Sequence, residues 1–185
     1  MMRKKLRIIM LALVMLVALG ACGLEKNTST NHDMESTESM DGMEHDGSIP
    51  DSMVDATNPK FPVGSNVTLL ANHMPGMKDS EGEVVQAYET KIYEVSYQPT
   101  TGGKMVNNHQ WVVNEELDDA SKNAQKGDTV ILNAEHMEGM DGAKAQVDKV
   151  IEGTVYVVNY IPTDGGEVVE NHMWVTEDEL QLREK

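Results

Sequence analysis

Two stretches of this chain alternate apolar and polar positions with a period of two. In residues 91–97, KIYEVSY, the side chains of Tyr93, Val95 and Tyr97 fall on one face. In residues 154–160, TVYVVNY, Tyr156, Val158 and Tyr160 do the same. That period predicts half-buried strands. Short β-branched runs, NVTLL at 66–70 and DTVIL at 128–132, each follow a glycine turn and read as further strands. The segments QPTTGG at 98–103 and IPTDGG at 161–166 carry the Pro and Gly of hairpin turns. After each turn comes another strand, with a kink near Asn108-His109 or Asn171-His172 and an acidic end.

These elements come in pairs because the chain is duplicated. A shift of 63 positions, without a gap, lays Gly64 on Gly127, His73-Met74 on His136-Met137 and Gly76-Met77 on Gly139-Met140. The same shift lays Tyr93 on Tyr156, Asn108-His109 on Asn171-His172, Trp111 on Trp174 and Glu116-Leu117 on Glu179-Leu180. An internal repeat is an architectural statement. It predicts two modules, at residues 60–122 and 123–185. Four or five short strands in so few residues predict an all-β fold of two tandem, small SH3-like β-barrels, since closure removes bare sheet edges. Modules of this size are marginal alone, so the two are expected to pack together.

The first 59 residues carry a different pattern. Arg3, Lys4, Lys5 and Arg7 precede a short apolar run from Ile8 to Leu19, and small residues then lead to Cys22. This is the grammar of an export signal, too short to be a comfortable membrane span. Leu19-Gly20-Ala21-Cys22 resembles a lipobox, which implies removal of residues 1–21 and lipidation of Cys22. The expected location is the outer face of the cell membrane, with the protein lipid-anchored through Cys22. Residues 22–59 are polar, acidic and free of apolar periodicity, and read as a disordered tether. Scattered through it are His32, Met34, Met40, Met43, His45 and Met53.

Composition narrows the chemistry. The formal net charge is −16, and loss of the basic leader makes it more negative still. Such a field repels the phosphates of nucleic acid. Cys22 is the one cysteine, so a lipidated chain has no thiol for a disulfide, a thiolate metal site or a nucleophile. No nucleophile elbow, phosphate loop or HExxH motif occurs, and a non-enzyme is expected. Any soft metal ligand must come from the 14 methionines and six histidines.

The repeated order H-M-x-G-M, Y-x-P-T-x-G-G, N-H-x-W-V and E-L resembles the YdhK family of bacterial lipoproteins, over residues 60–185 and the leader. The resemblance implies an envelope lipoprotein of no established activity, associated with copper-handling proteins, and carries no set of functional residues. One departure stands out: KDSEGE follows the first H-M-P-G-M where the second copy has DGAKAQ.

The candidate site follows from ligand chemistry. Imidazole and thioether donors suit soft ions, Cu(I) above all. Within each module the loop carrying His73, Met74 and Met77, or His136, Met137 and Met140, is expected to meet His109 or His172, with the adjacent Trp face against the cation. Beside this stands a plainer reading. The methionines fill gaps in the barrels, the histidines bond to neighbouring turns, the Trp and Tyr rings form the core, and the terminal glutamates form a solvated rim. On that reading the protein is a non-catalytic module for cell-wall material or an envelope protein.

Overall fold

The computed structural model describes residues 48–183. The leader, Cys22 and tether residues His32, Met34, Met40, Met43 and His45 lie outside the described residues. Among these residues eight strands form one sheet: β1 (Val54–Asp55), β2 (Asn66–Leu69), β3 (Glu81–Tyr97), β4 (Val106–Val113), β5 (Thr129–Ile131), β6 (Lys144–Ile161), β7 (Val169–Thr176) and β8 (Leu180–Leu182). The order is β5-β6-β3-β2-β8, with β1 and β4 also pairing on β3 and β7 on β6. Three 3-10 turns are the other regular elements among the described residues. The all-β expectation is met.

The sheet is organised by two strands much longer than the alternating patterns suggest. β3 has 17 residues and β6 has 18. At about 3.3 Å per residue each runs about 55 Å, too far for one small barrel. They pair antiparallel along nearly their whole length, from Glu81 opposite Ile161 to Tyr97 opposite Ala145. Each therefore leaves one lobe and enters the other.

The lobes consequently do not coincide with the repeats. One core joins Val67, Leu69, Ala71, Met77, Val84 and Ala87 of the first repeat to Tyr156, Val158, Tyr160, Val175 and Leu180 of the second. The other joins Tyr93, Val95, Tyr97, Val112 and Leu117 of the first repeat to Val130, Leu132, Met140, Ala145 and Val147 of the second. The last strand closes the exchange: Leu180 of β8 pairs with Leu69 of β2, and Leu117 forms the equivalent bridge to Leu132. Between the lobes, Ile92, Trp111, Val155, Val157 and Trp174 form a third cluster. Packing of the two modules is thus an exchange of halves.

The tether expectation fails at its C-terminal end. Residues 48–59 are placed, with β1 on β3 (Val54 opposite Glu89) and Ile49 and Met53 packed against the central cluster. Ile49 and Met53 are the apolar side chains by which this polar run packs on the central cluster. The departure between the two loops is absorbed locally. Asp79 adopts φ 64° where the second repeat has Gly142 at φ 70°. Asp is among the few side chains that accept this left-handed conformation.

Candidate functional site

The kink near Asn-His is a β-bulge that aims two histidines. Val95 pairs with His109 while Tyr93 pairs with Val112, so β4 spends an extra residue between them. In β7 the same slip separates Val158 opposite His172 from Tyr156 opposite Val175. Asn108 and Asn171 take φ of 54° and 52°. Their amides donate to Ser96 Oγ at 3.0 Å and Asn159 Oδ1 at 2.8 Å. A bulge re-aims the side chains beside it.

The loops carrying His73 and His136 are docked on the opposite repeat. Thr163 N–H and Oγ1–H donate to Gly76 O at 2.9 and 3.1 Å, and Thr100 does so to Gly139 O at 2.9 and 3.2 Å. A β-carbon on Gly139 would lie 2.6 Å from Thr101 Oγ1 and 3.0 Å from Pro99, so the glycine permits this approach. Because of the exchange, His73 does not meet His109. It meets His172, with ring centroids 6.2 Å apart, and His109 meets His136 at 5.9 Å. The expected partnership within each repeat is replaced by one between repeats. Tyr160 stands edge-on to His172 and Tyr97 edge-on to His109. Burial raises both phenol pKa values, with the Asp164 charge adding to the effect at Tyr160. All four histidines, with Met74 and Met137, line one groove of about 610 Å³. A smaller cavity of about 260 Å³, around Leu117 and Ile131, has no histidine or methionine in its lining.

Behind each histidine pair stands a glutamate expected to be part of a solvated rim. Glu116 is 3% exposed. Its Oε1 takes Nε2–H of His136 at 2.6 Å, and its Oε2 takes the indole N–H of Trp174 and the amide of Val113, both at 3.0 Å. Glu179 repeats the pattern: Oε1 takes Nε2–H of His73 at 2.7 Å. Its Oε2 takes Trp111 at 2.8 Å, with the Thr176 amide at 2.8 Å and hydroxyl at 2.7 Å. Burial pushes the Glu179 carboxyl up, but the bond and charge of His73 and the two Thr176 bonds outweigh it and hold the pKa below the ordinary value. The signal was present in the sequence as the glutamate three residues beyond Val113 or Thr176. That is the reach at which a carboxylate caps the start of a helical turn.

The methionines divide. Met77 and Met140 are fully buried, one in each core, and serve as packing. Both candidate ligands are withdrawn on that ground. Met74 and Met137 are half-buried at the groove. The Trp faces do not line the groove. Trp111 and Trp174 pack in the central cluster and reach the site through their N–H groups, and it is Lys149 that lies 5.4 Å over Trp111.

Among the described residues, no group of three His, Cys, Asp or Glu side chains is arranged to hold a metal ion. The imidazole pairs and the thioethers of Met74 and Met137 are the soft donors that line the groove. An ion about 2.0 Å from a ring nitrogen lies roughly 3.2 Å from the ring centroid, so two rings on one ion have centroids at most about 6.4 Å apart. Separations of 6.2 and 5.9 Å fall within that reach.

The family described as "Protein of unknown function (DUF1541)" matches residues 63–114 and again residues 126–177. The chain belongs to the DUF1541 family. A relative, the "Uncharacterized protein YdhK" of Bacillus subtilis (strain 168), is 48% identical over 185 residues, covering 96% of this chain and 88% of that protein. The crystal structure of a DUF1541 family protein (ydhK) from Bacillus subtilis subsp. subtilis str. 168 superposes with a TM-score of 0.72. It shares 50% identity and covers 74% of this chain and 93% of that one. The solution structure of the ydhK C-terminal domain from B. subtilis gives 0.64 at 52% identity, over 66% and 94%. The family description names no catalytic activity. In this DUF1541 chain the two matched segments are the two repeats whose halves are exchanged.

Proposed function

We propose that this protein is a lipid-anchored, extracytoplasmic metal-binding protein, with Cu(I) as the ion, working in buffering or resistance at the cell envelope and catalysing no reaction. The observation that carries the reading is the meeting of two imidazole pairs, His73 with His172 and His109 with His136, in one groove beside Met74 and Met137. Neutral imidazole and thioether together favour a soft monovalent ion over one that wants carboxylate and water. Thioether sulfur carries no proton at any ordinary pH, so Met74 and Met137 would bind without proton competition. The lipobox-like segment ending at Cys22 and the acidic, Met- and His-bearing tether support an anchored protein that gathers cations near the membrane.

The reading is tested by anaerobic titration of the full chain with Cu(I) against a chromophoric chelator. Tight binding that disappears in the double variant His73→Ala, His136→Ala supports it. A chain that leaves all copper on the chelator, or a double variant that binds as well as the parent, sinks it.

A further inference from the structure

The two imidazoles of each pair differ in what holds them. Nε2 of His73 and of His136 faces a carboxylate oxygen, at 2.7 and 2.6 Å. A carboxylate only accepts, so the proton resides on Nε2. In a neutral ring the lone pair is then on Nδ1. In His73 that Nδ1 is buried with no hydrogen-bond partner, on a side chain only 9% exposed. The glutamate cannot swing away to release the ring, because its other oxygen is occupied. Glu179 Oε2 takes three donors, from Trp111 and twice from Thr176. Glu116 Oε2 takes two, from Val113 and Trp174.

The repeats are mixed in each assembly. His73 and Trp111 of the first repeat meet Glu179 and His172 of the second, while His136 and Trp174 of the second meet Glu116 and His109 of the first. We infer that the groove holds two metal ions, one at each histidine pair, and that Glu179 and Glu116 are positioning residues that fix the tautomer delivering Nδ1 of His73 and His136 to the ion. This rests on the metal-binding reading above. Such a carboxylate behind a ligating imidazole orients the ring and raises its basicity, and its loss costs about 10- to 100-fold in affinity. The imidazole pairs set the ion count. Each site needs both repeats.

Glutamine is a sharp probe. In Glu179→Gln, the donors from Trp111 and Thr176 require the amide oxygen on their side. The amide NH₂ must then face His73, which has to accept at Nε2 and carry its proton on Nδ1. The substitution keeps size and shape and inverts the tautomer. Glu116→Gln does the same to His136.

The experiment is Cu(I) competition with a chromophoric chelator on the full chain and on Glu179→Gln, Glu116→Gln and the double variant. Nitrogen-15 shifts of the histidine rings in the metal-free proteins are read alongside, and circular dichroism confirms folding. The expected result is two tight ions for the parent, one of them weakened at least tenfold in each single variant and both in the double, with the ring shifts reporting Nδ1–H in the affected histidine. A parent that binds no copper defeats the metal reading itself. A parent that binds one ion, or binds two while Gln variants with inverted tautomers keep full affinity, overturns this inference and leaves that reading standing. A misfolded Gln variant is replaced by Trp111→Phe, which removes one donor from Oε2 of Glu179; affinity lost at one site supports the positioning role, and none lost opposes it.

Discussion

His73 and Glu179 lie 106 positions apart, in different repeats, and meet at 2.7 Å. The symmetric pair, His136 with Glu116, meets at 2.6 Å over a separation of only 20. Both contacts cross from one repeat to the other and set a histidine, a glutamate and a Trp N–H in the same order, because β3 and β6 carry each repeat into both lobes. The duplication therefore produces two like sites without two independent domains.

Removing Glu116 is expected to cost stability out of proportion to its size. Glu116→Ala leaves His136, the Trp174 N–H and the Val113 amide without their acceptor in a buried setting. Loss of one partner of such a buried pair costs about 3 kcal/mol or more. Lys60→Ala breaks a pair whose side chains are 55% and 43% exposed, Lys60 with Glu177, and is expected to cost less than about 1 kcal/mol. Urea denaturation of both variants checks the contrast, and equal midpoints would refute it.

Acid should weaken the fold partly through Glu179. Its folded pKa is lowered against an ordinary value of 4.5. A depressed carboxyl contributes stability above its unfolded pKa, and that contribution is lost as pH falls through the folded value. Melting temperatures from pH 6 downward should therefore drop more steeply in the parent than in Glu179→Gln, the parent's advantage shrinking below about pH 4.5. Parallel curves would show that Glu179 adds nothing.

Strand identity and the repeat were legible in the residues. Alternation at Tyr93, Val95 and Tyr97 marks a strand without any tertiary information, and a gapless shift of 63 positions marks the duplication. The exchange was not legible. It depends on β3 continuing back through Glu89 and Glu83 to Glu81, where exposed glutamates break the apolar period. Local pattern also cannot say which copy of an identical partner a strand will choose, since Tyr156 and Tyr93 offer the same face to either core. The site suffered accordingly. The sequence marks the four histidines, but nothing local says that they pair across repeats, and charge at a chain bend usually lies at the surface, which hides Glu116 and Glu179.

Methionines one turn of loop apart should behave oppositely. Met77 is fully buried, and Met77→Ala is expected to cost about 2–5 kcal/mol while leaving the Cu(I) stoichiometry of the folded protein unchanged. Met74 lies half-buried at the groove. Met74→Ala should lower copper affinity at one site with a smaller change in stability. Denaturation midpoints and chelator competition on the same two samples decide the matter. A Met77→Ala protein that stays stable yet loses copper would reverse the assignment.

A single repeat cut from the chain should not fold as a monomer. Residues 60–122 contain Val67, Leu69 and Val84, whose core partners Tyr156, Val158 and Leu180 are all in the other repeat. They also contain Tyr93, Val95 and Leu117, whose partners Val130, Leu132 and Val147 are equally absent. Alone, the segment would expose two half-cores and a 17-residue strand with all of its β6 pairing removed. The repeats are alike, however, so a second copy of the same segment can supply the missing halves by the same exchange. The expected outcome is an unfolded chain at low concentration and a symmetric, swapped homodimer at high concentration, with stability that rises with protein concentration. Sedimentation equilibrium with circular dichroism over a hundredfold concentration range is the check. A folded, concentration-independent monomer would mean that each repeat can close on itself, and that the exchange in the full chain is a choice between two near-equal packings instead of a requirement of the sequence.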